Sequence, residues 1–322
     1  MRPPYEITNT ILKAIASIAE KIGAVNANFL NNPPSTLKTQ NRLRTIHASL
    51  KLDGNNFTES QIAALLEDKK IFGSQKNAVE VLNAFAIYEN LERYNPNSEK
   101  AFLKAHQKFM SRLTDDAGEY KKQMVSTVAG SETAHLAPSS DNIQFLMKGL
   151  FQYLQKEEEI ELIKSCVFHY EMAFIRPFSE GNGRMARLWQ TLILMQKYPL
   201  FEFVDLDTLI YKDQKNYNKA LSDSDKSGQS TPFIEYMLLL LDHSIGDLLN
   251  YNNRTFNEQD RLEYFVAQTK EEFTRKHYMS VFKDISSATA SRDLKSGLEL
   301  NLFEKTGEKN KTIYKLITPS LK

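Results

Sequence analysis

The sequence predicts an all-α fold, a helical bundle carrying one β-hairpin, followed by a small C-terminal winged helix-turn-helix domain. Three observations predict it. Apolar residues recur at three- and four-residue spacing through most of the first 250 positions, as in helices that bury one face. The period fails between Gly118 and Pro138, where the run from Met124 to Leu136 reads as a short extended pair around Gly130. From about 258 a helix is followed by a short helix, a Ser/Thr-capped helix and a glycine-turned hairpin.

Residues 7 to 24 place Ile7, Ile11, Leu12, Ile15, Ile18, Ala19 and Ile22 on one face and predict a helix ending at Gly23. Asn31 to Ser35, with two prolines, is a loop. A helix over 37 to 50 stops at Asp53-Gly54-Asn55-Asn56, a turn signal, and Thr58 with Gln61 forms a capping box for the next. Further helices are expected at 76–93, 99–113, 141–155, 157–175, 184–198, 205–224, 231–250 and 258–276. Ser286, Thr289, Ser291 and Arg292 fall on the expected recognition helix, and Lys309 and Lys311 in the wing. From Lys270 to Lys322 there are 11 Lys/Arg and 7 Asp/Glu, a local excess of +4. That excess suits contact with DNA, and because winged helices dock proteins equally, both readings stay open.

The whole chain, 322 residues with 41% hydrophobic and 25% charged, has the balance of an ordinary globular protein. Its net charge of +1 gives no chain-wide attraction to nucleic acid. The single cysteine, Cys166, excludes an internal disulfide and lies in an apolar helical run, where a core role is expected. No apolar run reaches the roughly 20 residues that span a bilayer, and the N-terminus has no apolar signal core. A cytoplasmic protein with no membrane contact is the expectation.

Residues 174 to 188, Phe-Ile-Arg-Pro-Phe-Ser-Glu-Gly-Asn-Gly-Arg-Met-Ala-Arg-Leu, are hard to explain by folding alone. Proline and the Gly-Asn-Gly triplet stop one helix, and helical spacing resumes at Arg184. Backbone N–H groups of Gly181, Asn182 and Gly183 would face outward with the positive end of the helix dipole, which suits a phosphate. Arg184 and Arg187 stand one turn apart and can face one anion, and Glu180 is placed to hold Mg²⁺. Two cations at a helix N-terminus oppose the dipole, so the pattern favours an anion site over a plain glycine cap.

This segment resembles the signature of the Fic family, His-Pro-Phe-x-Asp/Glu-Gly-Asn-Gly-Arg-x-x-Arg, at every fixed position except the first, where Arg176 stands. The resemblance covers roughly residues 1 to 250 and implies a protein adenylyltransferase, which moves AMP from Mg-ATP to a Ser, Thr or Tyr hydroxyl of a target protein. In that reading Gly181, Asn182, Gly183, Arg184 and Arg187 bind the phosphates, Glu180 carries the metal, Phe178 anchors the loop and Tyr217 stacks on the base. The hairpin would be the flap, which receives an extended target by strand addition; on its own pattern it is equally a simple connection. The family His is the general base. Arg176 has no lone pair to offer, so little or no AMP transfer is expected. His169, seven residues earlier, is expected in the core rather than as a substitute.

Other positions depart too. The family's Tyr-Tyr-x-x-Leu and following Asn correspond to Tyr217-Asn-Lys-Ala-Leu and Asp225, and its Tyr-Arg before the flap to Tyr120-Lys121. Ser49-Leu-Lys-Leu-Asp53-Gly54 resembles the family's inhibitory motif, whose acid pairs with the second arginine, here Arg187. The expected regions are therefore 1–110, helical with the inhibitory motif; 111–250, the Fic core; and 258–322, the winged helix. The alternatives are a non-catalytic nucleotide- or DNA-binding regulator on the same scaffold, and transfer of another phosphate-containing group. A homodimer is compatible with each.

Overall fold

The computed structural model describes residues 3–29, 35–67, 69, 73–122, 142–156, 159–253, 258–269, 272–282, 285–307 and 312–317. The chain forms two compact units, Met1–Asn252 and Asn253–Lys322. Among the described residues helices dominate, and one three-stranded sheet forms.

In the first unit α1 (Asn9–Phe29) buries Ile11, Ala14, Ile18, Ile22 and Val25. It runs past the expected stop at Gly23, whose backbone is not left-handed, and leaves Leu12 exposed. Next come α2 (Ser35–Leu52), α3 (Glu59–Leu66) and α4 (Gln75–Tyr88). The α3 capping box forms as expected: Gln61 N–H donates to Thr58 Oγ1 at 3.2 Å and Thr58 N–H to Gln61 Oε1 at 3.0 Å. Helix α4 stops at Tyr88, short of 93, and a 3₁₀ turn at Leu91–Arg93 takes up the remainder. Helix α5 (Glu99–Phe109) is capped by Ser98. The expected hairpin, Met124 to Leu136, lies outside the described residues.

Helix α6 (Ile143–Leu154) packs on α7 (Glu161–Ile175). Eleven of the 15 residues of α7 are buried, on all sides of the helix, which places it at the bundle centre and explains its weak amphipathic pattern. Helix α8 (Asn182–Lys197) lies against it, with Trp189 fully buried and its Nε1 donating to Pro96 O at 2.9 Å. The single helix expected over 205–224 is two, α9 (Leu206–Lys212) and α10 (Gln214–Ser227), broken at Asp213. Helix α11 (Thr231–Asn253) completes the unit. One core runs from Ile11 to Leu248, so the regions expected as 1–110 and 111–250 share it.

The second unit begins with α12 (Glu258–Gln268), which ends before the expected 276 because β1 (Glu272–Phe273) and α13 (Arg275–Val281) follow. Then come α14 (Ser287–Glu299), β2 (Phe303–Thr306) and β3 (Ile313–Leu316). The sheet order is β1-β3-β2, antiparallel throughout, with Phe273 opposite Tyr314 and Phe303 opposite Leu316. Leu262, Phe265, Phe273, Tyr278, Ala290, Leu294 and Phe303 form its core. Ser286 caps α14, Ser291 and Arg292 are exposed on it, and Thr289 is half-buried. Lys309 and Lys311 lie outside the described residues.

Candidate functional site

Helix α7 ends because Arg176 turns left-handed, φ 48°, with its N–H donating to Met172 O at 3.1 Å, and Pro177 cannot extend the ladder. The Arg176 side chain is exposed. Phe178 then plunges into the core, 1% exposed, and its ring lies flat on His106 of α5 with centroids 3.5 Å apart. Asn182 clamps the loop from inside: its Oδ1 accepts from Phe178 N–H at 2.9 Å, and its Nδ2 donates to Phe178 O at 2.8 Å. These two bonds fix the orientation of its side chain. Ser179 Oγ donates to Asp116 Oδ2 at 2.6 Å, and Lys121 N–H to Pro177 O at 2.9 Å.

His106, which sequence reasoning missed, fixes the far side of the loop. Its Nδ1 accepts from Gly118 N–H at 2.9 Å, so its Nε2 carries the proton and donates to Glu180 O at 3.0 Å. Burial pushes its pKa down to about 4, against the Glu180 hydrogen bond, and the ring stays neutral. Gly181 is left-handed at φ 80°, and a Cβ there would meet Met110 Sδ at 2.9 Å. The Glu180 carboxylate is exposed and makes no ion pair among the described residues.

At the start of α8 the two arginines are buried, Arg184 4% and Arg187 3% exposed. Arg184 Nε reaches Asp53 Oδ2 at 2.5 Å, and its Nη2 reaches Glu80 Oε1 at 3.0 Å. Arg187 Nε binds Asp207 Oδ1 at 2.6 Å; its Nη2 donates to Ser49 O at 3.1 Å and Ser49 Oγ at 3.2 Å, and lies 3.5 Å from Asp53 Oδ2. Asp53 thus touches both arginines and sits nearer Arg184, although the resemblance pairs its acid with Arg187. Burial opposes the charge on Arg187, but Asp53 and Asp207 outweigh it and hold its pKa above the ordinary value. Burial pushes Asp207 up against the pull of Arg187.

An anion suits this cradle, and the chain supplies one itself. A Cβ on Gly183 would come within 3.0 Å of Arg187 Nη1 and 3.6 Å of Asp53 Oδ1, so the missing side chain is what lets carboxylate and guanidinium meet beside the uncapped start of α8. Arg184 Nη1 is buried and has no hydrogen-bond partner among the described residues. Among the described residues no group of three His, Cys, Asp or Glu is arranged to hold a metal, so Mg²⁺ would take Glu180 together with phosphate oxygens, as hard cations at phosphate sites do.

Tyr217 is 9% exposed, with its hydroxyl 2.9 Å from His169 Nε2 and its ring edge-on to Phe233. His169 is fully buried between Tyr217 and Gln190, and burial pushes its pKa down to about 4. Burial pushes the Cys166 thiol up to about 12. Asp225 accepts from Tyr170 OH at 3.0 Å. Besides His106, sequence reasoning missed Glu80 and Asp207, which stand 104 and 20 residues along the chain from the arginines they hold, and it read Asn55 as part of a turn rather than as a partner of Glu80.

The fold and site define a helical protein whose glycine-arginine turn is closed by a carboxylate from its own N-terminal region. Residues 96–194 match the Fic/DOC family. A Fic family protein from Desulfovibrio desulfuricans G20, solved by crystallography, is 32% identical over the whole of both chains with a TM-score of 0.77. The chain belongs to the Fic family. Fic-1 (residues 134–508) of C. elegans has a similar fold, with a TM-score of 0.61 at 18% identity over 75% of this chain and 72% of that one. Curated relatives include the protein adenylyltransferase Fic of Culex quinquefasciatus, 24% identical over 61% of this chain and 39% of that protein. The Drosophila virilis protein of the same name is 24% identical over 70% of this chain and 46% of its own length. The chain spans less than half the length of these insect relatives. No helix among the described residues is long and apolar enough to cross a membrane.

Proposed function

We propose that the chain is a Fic-type protein adenylyltransferase, held closed by Asp53 and with little or no activity in this form because Arg176 occupies the place of the base. The observation that carries this reading is the Asp53 carboxylate lying against Arg184 and Arg187 beside Gly183. The donors that receive Asp53 suit the outer phosphates of ATP, and the relatives named protein adenylyltransferase support AMP as the group moved. Backbone N–H groups at the start of α8 hold phosphate oxygens, the arginines take the remaining charge, and Glu180 holds the metal. Bound Mg²⁺ neutralises charge on the phosphates. The acceptor is a Ser, Thr or Tyr hydroxyl of a protein. Positioning and charge stabilisation remain available in this chain, but no group at position 176 can take the hydroxyl proton.

A second reading, a non-catalytic nucleotide-binding regulator, draws on the same substitution. For the second unit we propose contact with DNA or protein through α14, which exposes Arg292 and Lys295 and whose Ser291 Oγ accepts from Arg275 Nη1 at 3.1 Å.

The test offers Mg-ATP labelled at the α- or the γ-phosphate to the chain, to Arg176→His, and to Arg176→His with Asp53→Gly. We expect α-label on protein in the His forms, highest in the double variant and at least about 10²-fold above the parent. ATP binding without any transfer supports the regulator, and γ-label supports movement of phosphate instead.

A further inference from the structure

The carboxylates around the two arginines are of two kinds. Asp53 stands on the turn after α2, its side chain 26% exposed, where water can solvate it when it leaves. Glu80 projects from the middle of α4 with its side chain 8% exposed, and its second oxygen, Oε2, accepts from Asn55 Nδ2 at 2.7 Å. Asn55 is 3% exposed; its Oδ1 accepts from Phe57 N–H at 3.0 Å, and its Nδ2 also reaches Asn77 O at 3.3 Å. Moving Glu80 would break this buried chain of hydrogen bonds and strand its members, whereas moving Asp53 would not.

From this difference we propose that Glu80, braced by Asn55, is a positioning residue that holds the Arg184 guanidinium in place for an anion when Asp53 departs. The proposal rests on the nucleotide reading of the site. Asp207 stands to Arg187 as Glu80 stands to Arg184: its side chain is 2% exposed, and it holds Nε from α9. Each arginine thus keeps one fixed carboxylate, and among the described residues Asp53 is the carboxylate they share. When Asp53 leaves, two guanidiniums face two carboxylates, and the Nε edge of Arg184 that Asp53 held is vacated in a place already shaped for an anion. Without Glu80 the long arginine side chain would have to be ordered anew by each incoming phosphate, which weakens binding. The opposing possibility is that Glu80 only cancels charge and weakens anion binding, which predicts the reverse sign.

The experiment measures Mg-ATP and adenosine affinity by calorimetry, using the full chain, its Asp53→Gly form, and Asp53→Gly combined with Glu80→Gln or with Asn55→Ala. Asp53→Gly is expected to bind Mg-ATP more tightly than the parent. Adding Glu80→Gln should weaken Mg-ATP about tenfold, and adding Asn55→Ala about threefold, both with adenosine unchanged, since Arg184 faces phosphate only. If Asp53→Gly gains nothing, the nucleotide reading fails and this proposal with it. If it gains and Glu80→Gln leaves or strengthens that affinity, the positioning role alone is overturned. An equal loss for ATP and adenosine also overturns it, because that marks a merely structural residue. Should Glu80→Gln fold poorly, the Asn55→Ala arm decides by the same signs.

Discussion

Position 176 joins two demands that seldom coincide. The backbone must be left-handed there to end α7, and the side chain faces the exposed rim of the motif loop. A left-handed residue with a Cβ is strained by roughly 1–2 kcal/mol, and only part of that returns as chain entropy when glycine replaces it. Arg176→Gly should therefore raise stability by about 1 kcal/mol, read as a higher urea midpoint at unchanged slope. A lower midpoint would mean that the arginine makes contacts worth more than the strain. At this scale the sequence disclosed what is local. Gly181, Gly183, Arg184 and Arg187 crowd one short stretch, and a basic pair at a helix start conflicts with the dipole, so chemistry was legible there. Asp53 was legible because its own turn carries a motif. Glu80 and Asp207 were not, since each reads as one polar residue on an amphipathic helix and only the tertiary fold turns it toward an arginine.

Among the elements, α5 decides the geometry of the motif loop although it contributes nothing to the motif. His106 stacks on Phe178, accepts from Gly118 N–H and donates to Glu180 O, a set of roles that only the neutral ring can fill. Its pKa in the folded chain is near 4, below the 6.5 of a free imidazole, so the unfolded chain binds the extra proton first. The sign follows: the contribution is complete above pH 6.5 and is lost as pH falls through about 4. Between those limits the parent should lose up to about 3 kcal/mol more than His106→Gln, measured by urea unfolding at several pH values. Equal losses would show that the ring is not held neutral. Helix positions were legible because the apolar period persists through them; their ends were less so. Gly23 did not stop α1, since a glycine ends a helix only where the chain turns left-handed, and here it continues. The break at Asp213 went unread because α9 and α10 keep the same apolar spacing across it.

On the scale of the whole molecule, each of the two units has its own core. Residues from Ile11 to Leu248 close around Trp189 and the α7–α8 pair, and Leu262 to Phe303 close around Phe265 and Tyr278. The second core is small, and its α12 and α14 are joined by a two-pronged ion pair, Arg261 to Asp293 at 2.6 and 2.8 Å, with Tyr278 OH donating to the same buried carboxylate at 3.0 Å. A charge buried that deeply is costly unless fully partnered, and here it is, which lets so few apolar residues specify one arrangement. The change in composition near 258 made this division legible, while Asp293 gave no sign of being internal. If each core suffices, residues 1–252 expressed alone should unfold cooperatively within a few degrees of the main transition of the full chain. They should also keep the Mg-ATP affinity of the matching full-length form. Any affinity of the full chain for duplex DNA should be missing from this fragment, and in the full chain it should fall as salt rises, because each phosphate contact releases counterions. A fragment that melts far below the parent, or that retains the DNA affinity, would show that the units are not independent in these respects.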